Sequence, residues 1–565
     1  MPAISAMLMP APGVARRCNC RKWIDAGPAP TQDRAHNTVA VPLRQEGTPM
    51  SSDPSTRPAA TPPASAIDDD MKLLHSMGYA QELARSMKGF QNFAISFSII
   101  CILSGGINSL GQGLSGVGGA AIGIGWIIGC AVSFVFALGM AQIGSAYPTA
   151  GGLYHWGSIL GGRGWGWLTA WLNLVGLVTV LGAINVGTYN FFIGAFGATL
   201  GLESSLGLQA ACVGGITLVQ AVINHVGIRA TARLTDLSGY LIFAVALALT
   251  LSLLAYAPHW DFSRLWTFKN YSGPAGGDVW PATDSLLLLF GLGLLLPIYT
   301  ITGFDASAHT SEETQDAARA VPRGIVNSVI WSALFGWLML SAFVLAIPDM
   351  DKAAASGWNV FFTTLDAVLP GPLKQALYGL VLIGQLLCGL ATVTSASRMI
   401  YAFARDGGLP ASKLLRQVNT RFRTPVAAIW TAAVISVAFT LYTPAYTTIV
   451  SVTVIFIFLS YGLPVILGLF AHGRSWTRMG PWDMGPLAYR CVGVLAIAAI
   501  ALVFFLGVQP PNDAALWITL FFLVITALVW FGFERRRFQG PPVGDEVARR
   551  QAAIAAAERE LGSAA

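Results

Sequence analysis

Between Phe90 and Phe533 the sequence passes through twelve apolar stretches of roughly 20 residues, each long enough to cross a bilayer core as a helix. They run over residues 90–116, 120–146, 164–192, 206–226, 234–257, 284–314, 324–347, 373–404, 425–442, 446–471, 491–507 and 515–533. None alternates polar and apolar residues as barrel strands do, and open sheet edges have no place in lipid. All twelve therefore read as helices. Composition agrees: 11% of the 565 residues are charged, against about 25% in soluble domains, which leaves too little charge to coat a water-facing surface. The expected fold class is an all-α polytopic membrane protein embedded in a lipid bilayer.

Outside this region the chain is different. Residues 1–70 are rich in Pro, Ala, Ser and Thr, the composition of a disordered tail, and lack the apolar core of a secretory signal. Met50 and Met71 are alternative starts. A membrane domain spans 71–540, and 541–565 is a soluble tail with one expected amphipathic helix at 545–561. Cys101, Cys130, Cys212, Cys388 and Cys491 lie in apolar runs, where cysteine acts as a small buried hydrophobe. Cys18 and Cys20 are too few ligands for zinc, so no metal or cofactor is expected.

The basic residues fall unevenly. With the N-terminus inside, one set of loops collects Arg163, Arg229, Arg233, Arg319, Arg323, Arg405, Lys413, Arg416, Arg421 and Arg423, then Arg474, Arg478 and Arg535–Arg537. The opposite loops hold Arg264, Lys269, Lys352 and Lys374. This asymmetry places both termini in the cytoplasm and fits an even number of spans. The net charge of +6 is thus accounted for by topology, with no nucleic acid partner implied.

Two spans carry their own interruption. The first contains SGGIN at 104–108, and the sixth runs from Pro297 into YTITGFD at 299–305. Glycine and proline weaken a helix interior, and an opened backbone is tolerated at membrane depth only where it faces protein or water. Glycines in the first break also suit close helix packing. In the sixth, a central Asp305 would cost roughly 2.5–3.5 kcal/mol in lipid, so it is expected to open the inner half-helix and face a cavity. Paired breaks in two halves of a chain point to an inverted-repeat carrier with substrate between the half-helices.

Three motifs carry a resemblance: SAYPTAGGLYHW at 145–156, TGFDASAHTSEET at 302–314 and SRMIYAFARDGGLP at 397–410. The chain resembles the amino acid–polyamine–organocation superfamily over about 89–533, in particular its amino acid, gamma-aminobutyrate and choline permeases. The resemblance implies a leucine-transporter-like 5+5 inverted repeat of twelve helices, with helices one and six broken. Repeats would cover 89–257 and 284–471, and peripheral helices 491–533. It implies that amides of Ser104, Gly105, Gly106 and Ile107 meet a substrate carboxylate. Carbonyls near Tyr299, Thr300, Ile301 and Thr302 would hold its amine, with Gly303 counted among the substrate-binding residues. Half-helix ends suit those charges. Phe304 would either close over the substrate or pack in the core. Asn173 would join the site from the third span. Gln385, Thr392, Thr394 and Ser395 would line the region where relatives bind sodium, or else bond helix to helix.

At the inner side, Glu312 and Glu313 would pair with Arg85, Lys88 and Arg163 across a vestibule as a gate, or be solvated helix-end charges. Exposed pairs of this kind are worth about 0–1 kcal/mol. Arg405 and Asp406 would order their own helix end. Where many relatives have glutamate before the S-x-Y-P-T motif, this chain has Gln142, and Tyr240 lies in a fifth span without a cation. Candidates for proton coupling are Asp305, His309 and Asp236. Sodium coupling, exchange and facilitated uptake stay open.

The seven histidines show no H-x-x-H or H-E-x-x-H spacing, so an enzyme is not expected. Nor is there a filter loop or ring of like charge for a channel. A nutrient sensor on a carrier fold stays an alternative, and no obligate protein partner is indicated. Small residues around the breaks suit a compact zwitterionic substrate, a neutral or gamma-amino acid. A polyamine would lean on Asp305. Choline would need Tyr299, Phe304 and Trp171 to converge as an aromatic cage.

Overall fold

Why the sixth span falls apart is visible in how its pieces sit among the others. The computed structural model describes residues 64–443, 445–542 and 545–560, and among them there is no β-strand. Helix α1 (Ala64–Ser76) leads to the first span, split into α2 (Gly89–Ile100), α3 (Gly105–Asn108) and α4 (Leu110–Val117). Then follow α5 (Trp126–Ala146), the short α6 (Leu153–Gly161), α7 (Arg163–Phe192), α8 (Leu206–Val226) and α9 (Ile228–Tyr256). The sixth span is α10 (Leu286–Gly293), α11 (Leu295–Thr300) and α12 (Ala306–His309). Beyond it come α13 (Ala317–Ala346), α14 (Gly371–Arg405), α15 (Val426–Tyr442), α16 (Tyr446–Ala471), α17 (Gly485–Gly507), α18 (Asp513–Val529) and α19 (Asp545–Glu560).

Local chemistry sets many of these ends. Ser205 and Ser285 accept hydrogen bonds from the amides of Leu208 and Leu288, both at 3.2 Å, and so cap α8 and α10. Among the described residues ten helical segments are long and apolar enough to cross a membrane, and two shorter apolar ones, Leu286–Thr300 and Val426–Tyr442, match the sixth and ninth expected stretches. The sixth is short because its inner part turns irregular. The third runs on to Leu200, past the expected end at 192.

Burial sorts the helices. In the most apolar window of Gly89–Val117, 89% of residues are buried inside the protein, against 22% for Leu206–Val226 and 17% for Asp513–Arg537. The first span is therefore the centre of the bundle, and α8 and α18 lie at its rim. Around that centre α7 packs along α16, α13 along α5 and α2, and α14 along α7 and α9. Cys491 is exposed, in contrast to the expected buried role, because it lies on the outer face of α17. Helix α1 occupies the last part of the segment read as a disordered tail, while Cys18, Cys20 and Met50 lie outside the described residues.

Candidate functional site

After α2 the chain turns at Cys101, whose φ is 29°, and its carbonyl accepts from Ser104 N–H at 2.7 Å and Gly105 N–H at 3.1 Å. Helix restarts at Gly105. Among the described residues no backbone acceptor takes the amides of Gly106 and Ile107, so a short helix start faces the gap. In the sixth span α11 stops at Thr300, and Gly303 turns the chain with φ 90°.

The two breaks lie back to back. A Cβ on Gly105 would come 2.8 Å from Thr300 Cα, and one on Gly303 would meet Ile99 Cγ2 at 2.2 Å. Only glycine fits either place. At Gly106 a Cβ would be 3.7 Å from Leu340, an ordinary contact. Ser104, Gly105, Gly106, Ile107, Tyr299, Thr300, Ile301, Thr302, Gly303 and Phe304 are all buried at this junction. Thr300 and Thr302 bond back to their own chain, at Leu296 O (2.7 Å) and Tyr299 O (2.8 Å). That leaves main-chain groups as the polar lining of the gap.

Side chains from other helices tie the junction down. Gln385 donates to Leu103 O at 3.0 Å and accepts from Asn108 at 3.3 Å, so the eighth span does reach the first break. Its other hydroxyls do different work. Thr392 bonds Cys388 O in its own helix at 3.0 Å, and Thr394 donates to Asn224 of α8 at 2.7 Å. Ser395 is buried with no partner among the described residues. Phe304 packs in the core, its ring 4.6 Å from that of Tyr461. Trp171 meets Trp167 and Phe403 edge to face, while Tyr299 meets Tyr446, so the three expected cage rings fall in separate clusters.

Asp305 is fully buried, but it faces packed polar side chains where a cavity was expected. Tyr461 donates to one carboxylate oxygen at 2.8 Å, and Asn173 donates to the other at 3.1 Å. His309 Nε2 lies 3.2 Å from that second oxygen, and its Nδ1 3.2 Å from Ala150 O. The Tyr461 oxygen in turn accepts the Gly303 amide at 2.9 Å. Asp236 of α9, the other coupling candidate, is held by Gln91 of α2 at 2.9 Å, apart from this cluster. Gln142 is occupied by Asp483 at 3.0 Å.

The acidic pair departs from expectation. Its partners come from α14: Arg405 takes Glu312 in a two-pronged bridge (2.9 and 3.0 Å), and Arg398 takes Glu313 at 2.9 and 3.0 Å. Both glutamates are fully buried, so these are not screened surface pairs. Arg85 instead donates to main-chain oxygens of Ser311 (3.2 Å) and Thr314, and lies 3.5 Å from Asp70. Lys88 is exposed, and Arg163 turns to Phe538 O at 3.4 Å. The reason is reach: the segment before α2 crosses the end of the sixth span as backbone. Met87 N–H donates to Glu313 O at 2.8 Å, and Gln315 N–H to Met87 O at 2.9 Å.

More groups close this face. Gln81 donates to Glu312 O at 2.8 Å, and Tyr401 to Glu82 at 2.8 Å. Asp70 caps α13, accepting from Asp316 and Ala317 amides at 2.7 and 3.0 Å. Burial raises its pKa against the pull of Arg85 and those amides. Asp406 gathers Tyr79 (2.7 Å), Tyr154 (2.9 Å) and His155 (3.3 Å), so it ties the segment after α1 and helix α6 to the end of α14. Burial pushes the His155 pKa down and outweighs the attraction of Asp406. From the far side of α19, Glu558 accepts the Gln81 amide at 2.8 Å and meets His75 at 2.7 Å.

At the opposite end of α14 a cavity of about 380 Å³ reaches the first break, lined by Ile107, Asn108, Asn190, Trp358, Phe362 and Tyr446. The first break thus meets this cavity through Ile107 and Asn108, while the Glu312 face is closed by buried ion pairs. Arg398, Tyr461 and Tyr446 were not singled out by sequence. Arg398, a cation inside an apolar run, was the readable signal.

Residues 88–531 match the model of a family described as amino acid permease. Amino-acid permease BAT1 of Arabidopsis thaliana is 31% identical over 514 residues, covering 84% of this chain and 96% of the relative. Amino-acid permease 2 of Neurospora crassa is 28% identical, covering 91% and 96%. The GABA-specific permease of Saccharomyces cerevisiae is 28% identical, covering 79% of each chain.

Proposed function

Because this chain belongs to the amino acid permease family, we propose that it is a secondary active transporter of a small amino acid or gamma-aminobutyrate. It works by alternating access in the plasma (inner) membrane, with both termini cytoplasmic and twelve helices in a 5+5 inverted repeat. The observation that carries this reading is the pair of abutting breaks, the first meeting a cavity while the Glu312 face is closed by buried ion pairs. Such a junction offers the amides of Gly106 and Ile107 at one half-helix start and the carbonyls of Thr300, Ile301 and Thr302 at another half-helix end, Tyr299 O being taken by the Thr302 hydroxyl. A zwitterion is held by both without any full protein charge.

Charge and size favour the amino acid within the family's range. Asp305, the one acid at the junction, is already engaged by Tyr461, Asn173 and His309, which weakens a polyamine reading. One observation favours choline as a second reading: the rings of Tyr299 and Trp358 both lie near Tyr446, at 6.4 and 6.3 Å, beside the cavity. In proteoliposomes given amino acids, gamma-aminobutyrate, choline and putrescine under proton or sodium gradients, saturable uptake of one amino acid class is expected. Accumulation of choline alone would replace this substrate reading. Binding without flux from folded protein would make the chain a sensor.

A further inference from the structure

Asp305 and His309 are both completely buried and are separated by 3.2 Å. The other ring nitrogen of His309 lies 3.2 Å from Ala150 O, which is an acceptor only, so Nδ1 carries a hydrogen. With Nδ1 protonated, a neutral ring presents a lone pair at Nε2, and an ionised Asp305 presents another. Two lone pairs facing each other without water repel. A proton therefore lies between them, as imidazolium with carboxylate or as imidazole with carboxylic acid.

We infer that Asp305 and His309 jointly bind one exchangeable proton, and that this proton is the ion coupled to transport. The inference rests on the carrier reading for its second half alone. Proton count and position follow from the contacts. Two donors, Tyr461 and Asn173, and the proton shared with His309 converge on the Asp305 carboxyl group, an arrangement that suits a proton and leaves no oxygen for sodium. The neighbours add no competing charge. Helix α16 presents Tyr461 and Ser460, and α7 presents Asn173. Helix α2 presents Asn92 and Ser96 to the next residues of α12. On α13, Arg319 and Arg323 are exposed. Arg398 and Arg405 of α14 are spent on Glu313 and Glu312. His155, on α6 beyond the same turn, is directed to Asp406.

The pair stands between the two moving parts. On one side Tyr461 bridges Asp305 to the Gly303 amide in the break. On the other, the Ala150 peptide receives His309 at its carbonyl while its amide donates to Glu312 at 3.0 Å. Release of the proton to water sets the two lone pairs against each other and drives the ring off Ala150. That frees the peptide which steadies Glu312 against Arg405.

Asp305→Asn tests this directly. Its amide donates to His309 Nε2 and its carbonyl accepts from Tyr461, while the Asn173 amide turns over to present its unpartnered Oδ1, so the site stays bonded while the exchangeable proton is gone. Potentiometric titration of the purified full chain should show one proton fewer bound by Asp305→Asn than by wild type. Equal proton binding overturns the site, whether or not any substrate moves. In proteoliposomes, counterflow without an ion gradient measures the carrier itself. Against that reference, wild type should accumulate substrate by about tenfold per pH unit for one proton, and Asp305→Asn should only equilibrate it. Proton-driven accumulation by Asp305→Asn overturns the coupling. Absence of counterflow in wild type instead refutes the carrier reading and leaves the titration to decide the site. His309→Gln, which also removes the titratable ring, supplies the same comparison if the asparagine variant does not fold.

Discussion

Replacing Arg405 by methionine tests whether the Glu312 face is held shut by its buried charges. The arginine contributes both prongs of the bridge to Glu312, whose side chain is fully buried. Removing it strands a carboxylate away from water, and breaking a buried pair this way costs roughly 3–5 kcal/mol. That cost falls on the closed arrangement alone if Glu312 reaches water when the face opens. The closed-to-open ratio then drops by roughly 150- to 4,000-fold. Cys101 reports the change, because it is fully buried at the first break, behind the pair. Its labelling by a membrane-impermeant maleimide, read by peptide mass mapping, should be slow in wild type and at least about 100-fold faster in Arg405→Met. Glu312→Gln added to Arg405→Met removes the stranded charge and should return the rate toward wild type. If Cys101 stays protected in monodisperse Arg405→Met protein, the pair is not what holds the face. Equal labelling in the single and double variants would refute the charge argument.

Three further outcomes are expected. Gly105→Ala and Gly303→Ala should abolish uptake, through overpacking of about 1–3 kcal/mol and, at Gly303, added backbone strain, while Gly106→Ala transports; uptake measurements on all three decide it. His155 has a depressed pKa, so the folded protein binds fewer protons there than the unfolded chain, and stability falls as pH drops below about 6.5. Thermal melts from pH 7.5 to 5.5 should show a shallower slope in His155→Gln. Thr394→Val should cost roughly 0.6–1.7 kcal/mol by losing its bond to Asn224, with ion dependence of uptake unaltered.

The sequence made much of this legible, and the reason is solvent. Lipid forces backbone polar groups into helices, so the spans and the two interruptions stood out against an apolar background. Glycine at 105 and 303 was readable because nothing else bends or approaches there. The partners of the acidic pair were not. Arg85, Lys88 and Arg163 were nearest in chain order, whereas Arg398 and Arg405 reach Glu313 and Glu312 from a helix more than 80 residues away. Nothing local records which of several basic residues crosses the bundle. The same holds for Asp305, whose expected cavity is filled by Tyr461 from α16, a tyrosine among many apolar neighbours. Thr394 shows the converse: its hydroxyl-rich surroundings suggested either an ion site or a bond between helices, and its hydroxyl bonds Asn224 of the neighbouring α8.

Helix α19 ends on the same structure that must part if the Glu312 face opens, since Glu558 holds the Gln81 amide and Gln81 holds Glu312 O. In mechanical terms the tail is a load on that contact: any motion that separates Gln81 from Glu312 has to lift α19 or stretch it. A fusion partner, or a surface that captures the tail, then pulls on the same contact. Turnover measured on a tagged or tethered chain therefore includes the pull of its own handle.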